Sequence, residues 1–172
     1  MKLIDTSITD VKILVPTIHH DNRGYFYESF NQKEFNRLIG REVVFVQDNH
    51  SKSYKGVLRG LHYQEAPMAQ GKLIRVVAGE IYDVAVDLRP DSATYKKWIA
   101  HRLSAENHQQ LWIPEGFAHG FYVLSDEAEV QYKTTNYYSP EYERCIAWNS
   151  ESLGIEWPTF EKLTLSAKDE LS

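Results

Sequence analysis

The sequence predicts a mainly β fold: a sandwich, jelly roll or small barrel with a few short helices. Two observations carry this. Between residues 43 and 148, turn-forming residues recur at short spacing, at Asp48-Asn49, Gly56, Gly71, Gly79, Pro90-Asp91, Pro114-Glu115-Gly116 and Ser139-Pro140. The runs between them, such as Leu73–Ala78, Ile81–Leu88, Phe117–Leu124 and Glu129–Thr135, have strand length and no intervening helices. The 11 tyrosines and 4 tryptophans suit half-buried pleated surfaces and aromatic-lined pockets.

In chain order, Asp21–Phe30 reads as a hairpin with a charged turn. Asn31 and Glu34 then have the spacing of a capping box, Phe35, Leu38 and Ile39 supply an apolar stripe, and Gly40 can end the helix. Gln47-Asp48-Asn49-His50 reads as a polar loop. Ile81–Leu88 alternates, with Tyr82, Val84, Val86 and Leu88 on one face and Asp83 and Asp87 on the other. That is the pattern of an antiparallel strand with one buried face. The tail after Pro158 reads as irregular or as a short helix.

Length and charge bound the function. The 172 residues form one expected domain, 1–172, without repeat, linker or low-complexity tract. A net charge of −5 disfavours a basic nucleic-acid-binding surface, but a small anion needs only a local group of cations. No apolar run is long enough to cross a membrane, and the N-terminus lacks an apolar signal core. The lone Cys145 excludes an internal disulfide and a cysteine-built metal site. Together these features favour the cytoplasm.

A ligand site inside a small barrel must place polar groups on an otherwise apolar inner face, and strand parity locates four. His119 shares a face with Phe117, Phe121 and Val123; Tyr132 with Val130; Lys72 with Ile74 and Val76; and His62 with Leu58. Each also has a plain reading: a satisfied core histidine, a packed tyrosine, a solvated turn lysine. Arg59-Gly60-Leu61-His62 is more informative. Parity puts Arg59 and His62 on opposite faces, so a shared pocket requires a bulge at Gly60 or a site at a strand end. His19, His20, His101 and His108 read as surface residues, and Cys145 as inert packing.

Small jelly rolls often hold a metal through His-x-His, a glutamate and a later histidine. Here the first element reads His62-Tyr63-Gln64, and glutamine is a poor transition-metal ligand. An incomplete site of His62 and His119 with Glu80 or Glu65 is the remaining metal-dependent alternative.

The chain resembles the dTDP-4-dehydrorhamnose 3,5-epimerase family. The match rests on Arg59-Gly60-Leu61-His62, Gln70-Gly71-Lys72 and Trp112–Gly120 in combination. It extends through Asp21–Phe30, Gln47–Ser51, Gly79–Arg89, Tyr132–Tyr138, Arg144–Asn149 and Leu165–Asp169. The resemblance implies a double-stranded β-helix (cupin) jelly roll, a homodimer, and no metal or cofactor. It implies a dTDP-linked 4-keto-6-deoxyhexose substrate whose carbons 3 and 5 are inverted, for a cell-surface polysaccharide such as lipopolysaccharide O-antigen. The implied machinery is His62 as base, Asp169 as its orienting carboxylate, Tyr132 as acid on the opposite face and Lys72 as the cation at the enolate oxygen. The implied binding residues are Arg23, Arg59 and Lys168 for diphosphate or nucleotide, with Phe26 and Tyr138 stacking on the base. Glu28, Gln47, Asn49 and Glu143 match polar contacts, and His119 a substrate contact. In the family, part of this site comes from the partner subunit. Relatives that invert one carbon only, or take another keto sugar, remain alternatives.

Overall fold

The computed structural model describes residues 1–159 and 161–170. In chain order the elements begin with strands β1 (Lys2–Asp5), β2 (Lys12–Val15), β3 (His19–Asp21) and β4 (Gly24–Phe26), then helix α1 (Gln32–Ile39). Strands β5 (Gln47–Tyr54), β6 (Leu58–Gln64), β7 (Lys72–Ala78), β8 (Glu80–Asp87) and β9 (Trp98–Ser104) follow. Next come β10 (Gln110–Ile113), β11 (Phe117–Val123), β12 (Glu127–Thr134), a 3-10 turn (Pro140–Tyr142), β13 (Glu143–Cys145) and helix α2 (Ala167–Glu170).

The strands form two antiparallel sheets, ordered β1-β2-β10-β7-β12-β5 and β13-β6-β11-β8-β9, with β3 and β4 as a separate hairpin. This is the expected mainly β jelly roll. The main core lies between the sheets and includes Ile74, Val76 and Val130 from one, and Ile81, Phe121 and Val123 from the other. The inner rows turn polar toward one end. On β7 the row runs Val76, Ile74, Lys72, and on β12 it runs Ala128, Val130, Tyr132, with Val76 opposite Val130 and Ile74 opposite Tyr132. Apolar packing therefore closes one end of the sandwich and leaves the other for chemistry.

Helix α1 forms where its sequence signals place it, with one half of the expected capping box made. Asn31 caps it by accepting the Glu34 N–H, and Gly40 ends it in the left-handed region at φ 77°. The Glu34 carboxylate pairs with Arg37 one turn on. Phe35 is buried with Trp112, Leu14 and Leu73, so α1 covers the outer face of the six-stranded sheet.

Four expectations need correction. Gln47–His50 is not a loop but the start of β5, paired with β12 from Gln47 opposite Thr134 to Tyr54 opposite Glu127. Its inner row, Gln47, Asn49, Ser51 and Ser53, is polar throughout, which hid the strand period. Strand β8 does not have a single buried face. Its apolar row is covered by Ile146, Leu153, Ile155 and Trp157 from the C-terminal segment, and its aspartate row points inward, where Asp83 and Asp87 are 0% exposed. Asp87 accepts from Arg89, Ser92 and Thr94, while Asp83 meets His119, so both buried carboxyls have hydrogen-bond partners. His101 is half-buried against Gln109 rather than at the surface.

The fourth concerns β6, where His62 does not share a face with Leu58. His119 opposes His62 and Phe121 opposes Arg59, so Gly60 and Leu61 together face the single residue Gly120. This bulge shifts parity, placing Arg59 and His62 on one inner row and leaving Leu58, opposite Tyr122, on the other face. Gly60 has φ +120°, and a Cβ there would lie 2.6 Å from Gly120 Cα and 2.7 Å from His119 O. Gly60→Ala is expected to cost about 2–5 kcal/mol, from backbone strain plus overpacking against main chain. A urea melt with unchanged slope and a lowered midpoint checks this; an unchanged midpoint would mean the bulge tolerates a side chain.

Candidate active site

At the polar end of the sandwich a cavity of about 230 Å³ opens. It is lined by His62 and Gln64 from β6, Lys72 from β7, Tyr132 from β12, Gln47 and Asn49 from β5, and by Tyr138 and Glu143. His62 belongs to the five-stranded sheet and Tyr132 and Lys72 to the six-stranded one, so the imidazole and the phenol enter from opposite walls.

The imidazole is held from behind. His62 Nε2 lies 2.6 Å from Asp169 Oδ1, and the Asp169 side chain is only 2% exposed. The second carboxylate oxygen, Oδ2, accepts from Ser166 Oγ at 2.7 Å, and α2 carries this pair to the edge of β6. A carboxylate on Nε2–H fixes the tautomer whose lone pair is on Nδ1 and stabilises the ring when it takes a proton. Burial pushes the His62 pKa below its ordinary value. The Asp169 charge opposes this, and the Lys168 ammonium adds to it.

Lys72 is 8% exposed, and its Nζ donates to the His62 carbonyl at 3.3 Å. The solvated-turn reading of this lysine therefore fails. Burial lowers its pKa from 10.5 to about 8, against the pull of the Asp83 and Glu143 carboxylates. A cation with so few compensating bonds is well placed to meet negative charge that develops beside it. Tyr132 is half-buried. Burial pushes its phenol pKa up and the Arg59 charge pulls it down, so the hydroxyl keeps its proton near neutrality. His119 is a buried histidine whose Nε2 sits 3.0 and 2.9 Å from the two oxygens of Asp83, directly opposite His62 in the sheet.

A hydrogen-bonded chain borders the cavity. Gln47 Nε2 donates to Asn49, Gln47 Oε1 accepts the Tyr138 N–H, Tyr138 OH donates to Glu143, and Glu143 pairs with Lys168. Burial works to raise the Glu143 pKa, but Lys168 and Tyr138 outweigh it and hold the carboxyl below its usual range. Arg59 Nε donates to Ser53 Oγ at 2.9 Å, tying β6 to β5.

The family model described as dTDP-4-dehydrorhamnose 3,5-epimerase matches residues 5–172. The chain belongs to the dTDP-4-dehydrorhamnose 3,5-epimerase family. It is 60% identical to the dTDP-4-dehydrorhamnose 3,5-epimerase of Salmonella typhimurium, over 98% of this chain and 92% of the relative. Among solved structures, it is similar to a Legionella pneumophila epimerase in complex with dTDP-4-keto-L-rhamnose. That match has a TM-score of 0.96 and 52% identity, covering 99% of this chain and 90% of the other. It is also similar to a Bacillus anthracis dTDP-4-dehydrorhamnose 3,5-epimerase with TDP and PPi bound, at a TM-score of 0.94 and 48% identity, covering 99% and 97%.

Of the residues singled out from the sequence of this family member, His62, Tyr132, Lys72, Gln47, Asn49, Tyr138 and Glu143 line one cavity, and Asp169, Lys168, Arg59 and His119 bond to or flank that group. Arg23, Phe26 and Glu28 do not join it. They sit on or just after the β3–β4 hairpin, where Phe26 is 72% exposed and Arg23 pairs with Asp21. Phe26 and Tyr138 therefore do not meet within one chain. The incomplete metal site of the sequence reading is not assembled: Glu80 pairs with Arg102, Glu65 with Arg144 and His119 with Asp83.

Two residues went unrecognised in the sequence. Ser166 orients Asp169, and its signal was the Ser-x-x-Asp spacing at the start of a short helix. Gln64, the glutamine of the broken His-x-His, donates to Met68 O and Tyr137 O and accepts from Ser139 N, fixing the loop that carries Tyr138.

His62 should titrate below the usual histidine value of about 6.5, as followed by imidazole nitrogen NMR. Asp169 raises that pKa, so Asp169→Asn should lower it further and redistribute the tautomers. A rise on removing the carboxylate would show that the pair is not coupled as described.

Proposed function

We propose that this chain inverts carbon 3 and carbon 5 of dTDP-4-dehydro-6-deoxy-D-glucose to give dTDP-4-dehydro-L-rhamnose, the epimerisation step of dTDP-L-rhamnose synthesis. The observation that carries this reading is the convergence of His62, Tyr132 and Lys72 on one cavity, in a family member matched along nearly its whole length.

Both carbons adjoin the ketone, so each C–H is acidified by the carbonyl, and inversion requires proton loss from one face and gain on the other. Neutral His62 removes the proton, with Asp169 stabilising the resulting imidazolium. The electron pair moves onto the ketone oxygen, and the Lys72 ammonium stabilises the enolate. Tyr132, on the opposite wall, returns a proton to the other face at carbon 5. No redox partner is needed, because the substrate gains and loses only protons. Arg59, Lys168, Gln47, Asn49, Tyr138 and Glu143 hold the nucleotide and its diphosphate, where charge-assisted bonds from arginine and lysine suit a dianion. His119 faces the sugar.

Arg23, Phe26 and Glu28 complete the nucleotide site of a second copy in a homodimer. The exposure of their hairpin and its separation from the chain's own cavity support this reading. We place the reaction in the cytoplasm; no helix among the described residues is long and apolar enough to cross a membrane.

In deuterated water the keto sugar should take up deuterium at carbons 3 and 5 by NMR. His62→Ala should reduce uptake at both by roughly 10²–10⁴-fold, the usual worth of a general base. Tyr132→Phe should mainly block reprotonation at carbon 5. Near-normal exchange in His62→Ala would overturn the assignment of the base.

The dependence of kcat/KM on pH should be bell-shaped. Activity falls on acidification as His62 is protonated, at a midpoint below the ordinary value of about 6.5. It falls again as pH rises through about 8, where Lys72 loses its charge. Lys72→Ala should lose that alkaline limb along with most of the rate; a limb that survives unchanged would belong to another group.

A further inference from the structure

Among the described residues, one group of side chains has the composition and spacing of a metal site, and it includes the single cysteine. The ligand atoms of His62, Cys145 and Asp169 all lie within 4.8 Å of one another. The register explains the juxtaposition. Cys145 on β13 stands directly opposite His62 on β6, so both side chains leave the sheet on the same side, and α2 brings Asp169 against them. Cys145 Sγ is 4.0 Å from Asp169 Oδ1, and His62 Nε2 is 2.6 Å from the same oxygen.

We propose that these three residues form an inhibitory site for a thiophilic divalent cation, with zinc as the best match. A thiolate, an imidazole and a carboxylate are the ligand types zinc prefers. In a tetrahedral zinc site with bonds of 2.0–2.3 Å, neighbouring ligand atoms are about 3.4–3.7 Å apart. The Cys145–Asp169 separation closes to this by a few tenths of an ångström, and the His62–Asp169 pair opens by roughly 1 Å, within reach of side-chain rotation. Alkaline-earth ions, which prefer oxygen donors, gain little from sulfur and nitrogen. The fourth position remains for water, because the chain offers three ligands.

Binding exchanges one proton for the metal. The Cys145 thiol gives up its S–H proton to solvent, a zinc–sulfur bond forms, and no oxidation state changes. The cation also replaces the short His62–Asp169 hydrogen bond. Whichever ring nitrogen it takes, the imidazole loses its free lone pair. On Nδ1 the loss is direct; on Nε2 the ring proton is left on Nδ1. The ammonium groups of Lys168 and Lys72 disfavour a further cation here, whereas Asp169, the new thiolate and the nearby Glu143 favour it. An enzyme whose chemistry needs no metal would thus be switched off by one. The site rests on the geometry of these side chains and not on which keto sugar is the substrate.

The test is direct binding to the purified full-length protein without substrate, followed by activity. Cobalt(II), as a spectroscopic stand-in, should give one equivalent of a near-ultraviolet thiolate-to-cobalt charge-transfer band that zinc displaces. Zinc titration by calorimetry should show one site and release of one proton near neutral pH. Zinc should inhibit epimerisation reversibly, with recovery on chelation. Cys145→Ser, and Cys145→Ala as a second replacement, should keep the metal-free activity and need about tenfold or more zinc for the same inhibition, as loss of a supporting group at a metal site typically costs 10–100-fold in affinity. The absence of a thiolate–cobalt band in the unmodified protein would overturn the proposal, as would equal zinc sensitivity with and without the thiol. The cobalt spectrum needs no variant and no substrate, so its failure is distinguishable from failure of the epimerase reading.

Discussion

The hydrogen bond between His62 and Asp169 is the interaction on which the site depends. It spans 107 positions of sequence, joining the middle of a sheet to the last helix. An imidazole facing a cavity could adopt either tautomer and several ring orientations. A buried carboxylate removes that freedom: it accepts from one nitrogen and leaves the lone pair on the other. The carboxylate is itself held, through Ser166, by the first turn of α2. The orientation of the His62 ring therefore relies on a short helix packed against β6 as much as on the sandwich.

Much of the fold was legible because the turn residues are frequent and the strands short. Helix α1 was legible to its caps, since Asn31, Glu34 and Gly40 act locally. What escaped were the places where strand period and burial part company. The inner row of β5 is polar because it borders the cavity and the Arg59 anchor, so no alternation of apolar and polar residues announced a strand. Strand β8 seemed to expose Asp83 and Asp87, yet its apolar row packs under the C-terminal segment and its aspartates are buried in bonded networks. Parity arguments assume that one face of a strand is wet, and here neither is.

The candidate site was legible in a more particular way. The oddity of Arg59-Gly60-Leu61-His62 forced a choice between a bulge and two separate faces, and the structure has the bulge. Lys72 shares an inner row with Ile74 and Val76, and Tyr132 with Val130, so parity marked both as candidates and the family resemblance gave them roles. Ser166 and Gln64 could not be found that way, because they act on neighbours brought together only by the fold. The hairpin residues Arg23, Phe26 and Glu28 lie apart from the cavity, so strand parity along this chain had no way to join them to it.

The origin of the imidazole and the phenol on different sheets has one further consequence. Face-to-face sheets stack about 10 Å apart, a spacing set by interlocking core side chains. For the proposed reaction, that spacing is the gauge into which a six-membered ring would slide edge-on, with the imidazole on one side and the phenol on the other. On the proposed mechanism, the thickness of a β sandwich would then set the distance across which inversion takes place. Core residues such as Ile74, Val76, Val130 and Phe121, which do not line the cavity, set that spacing.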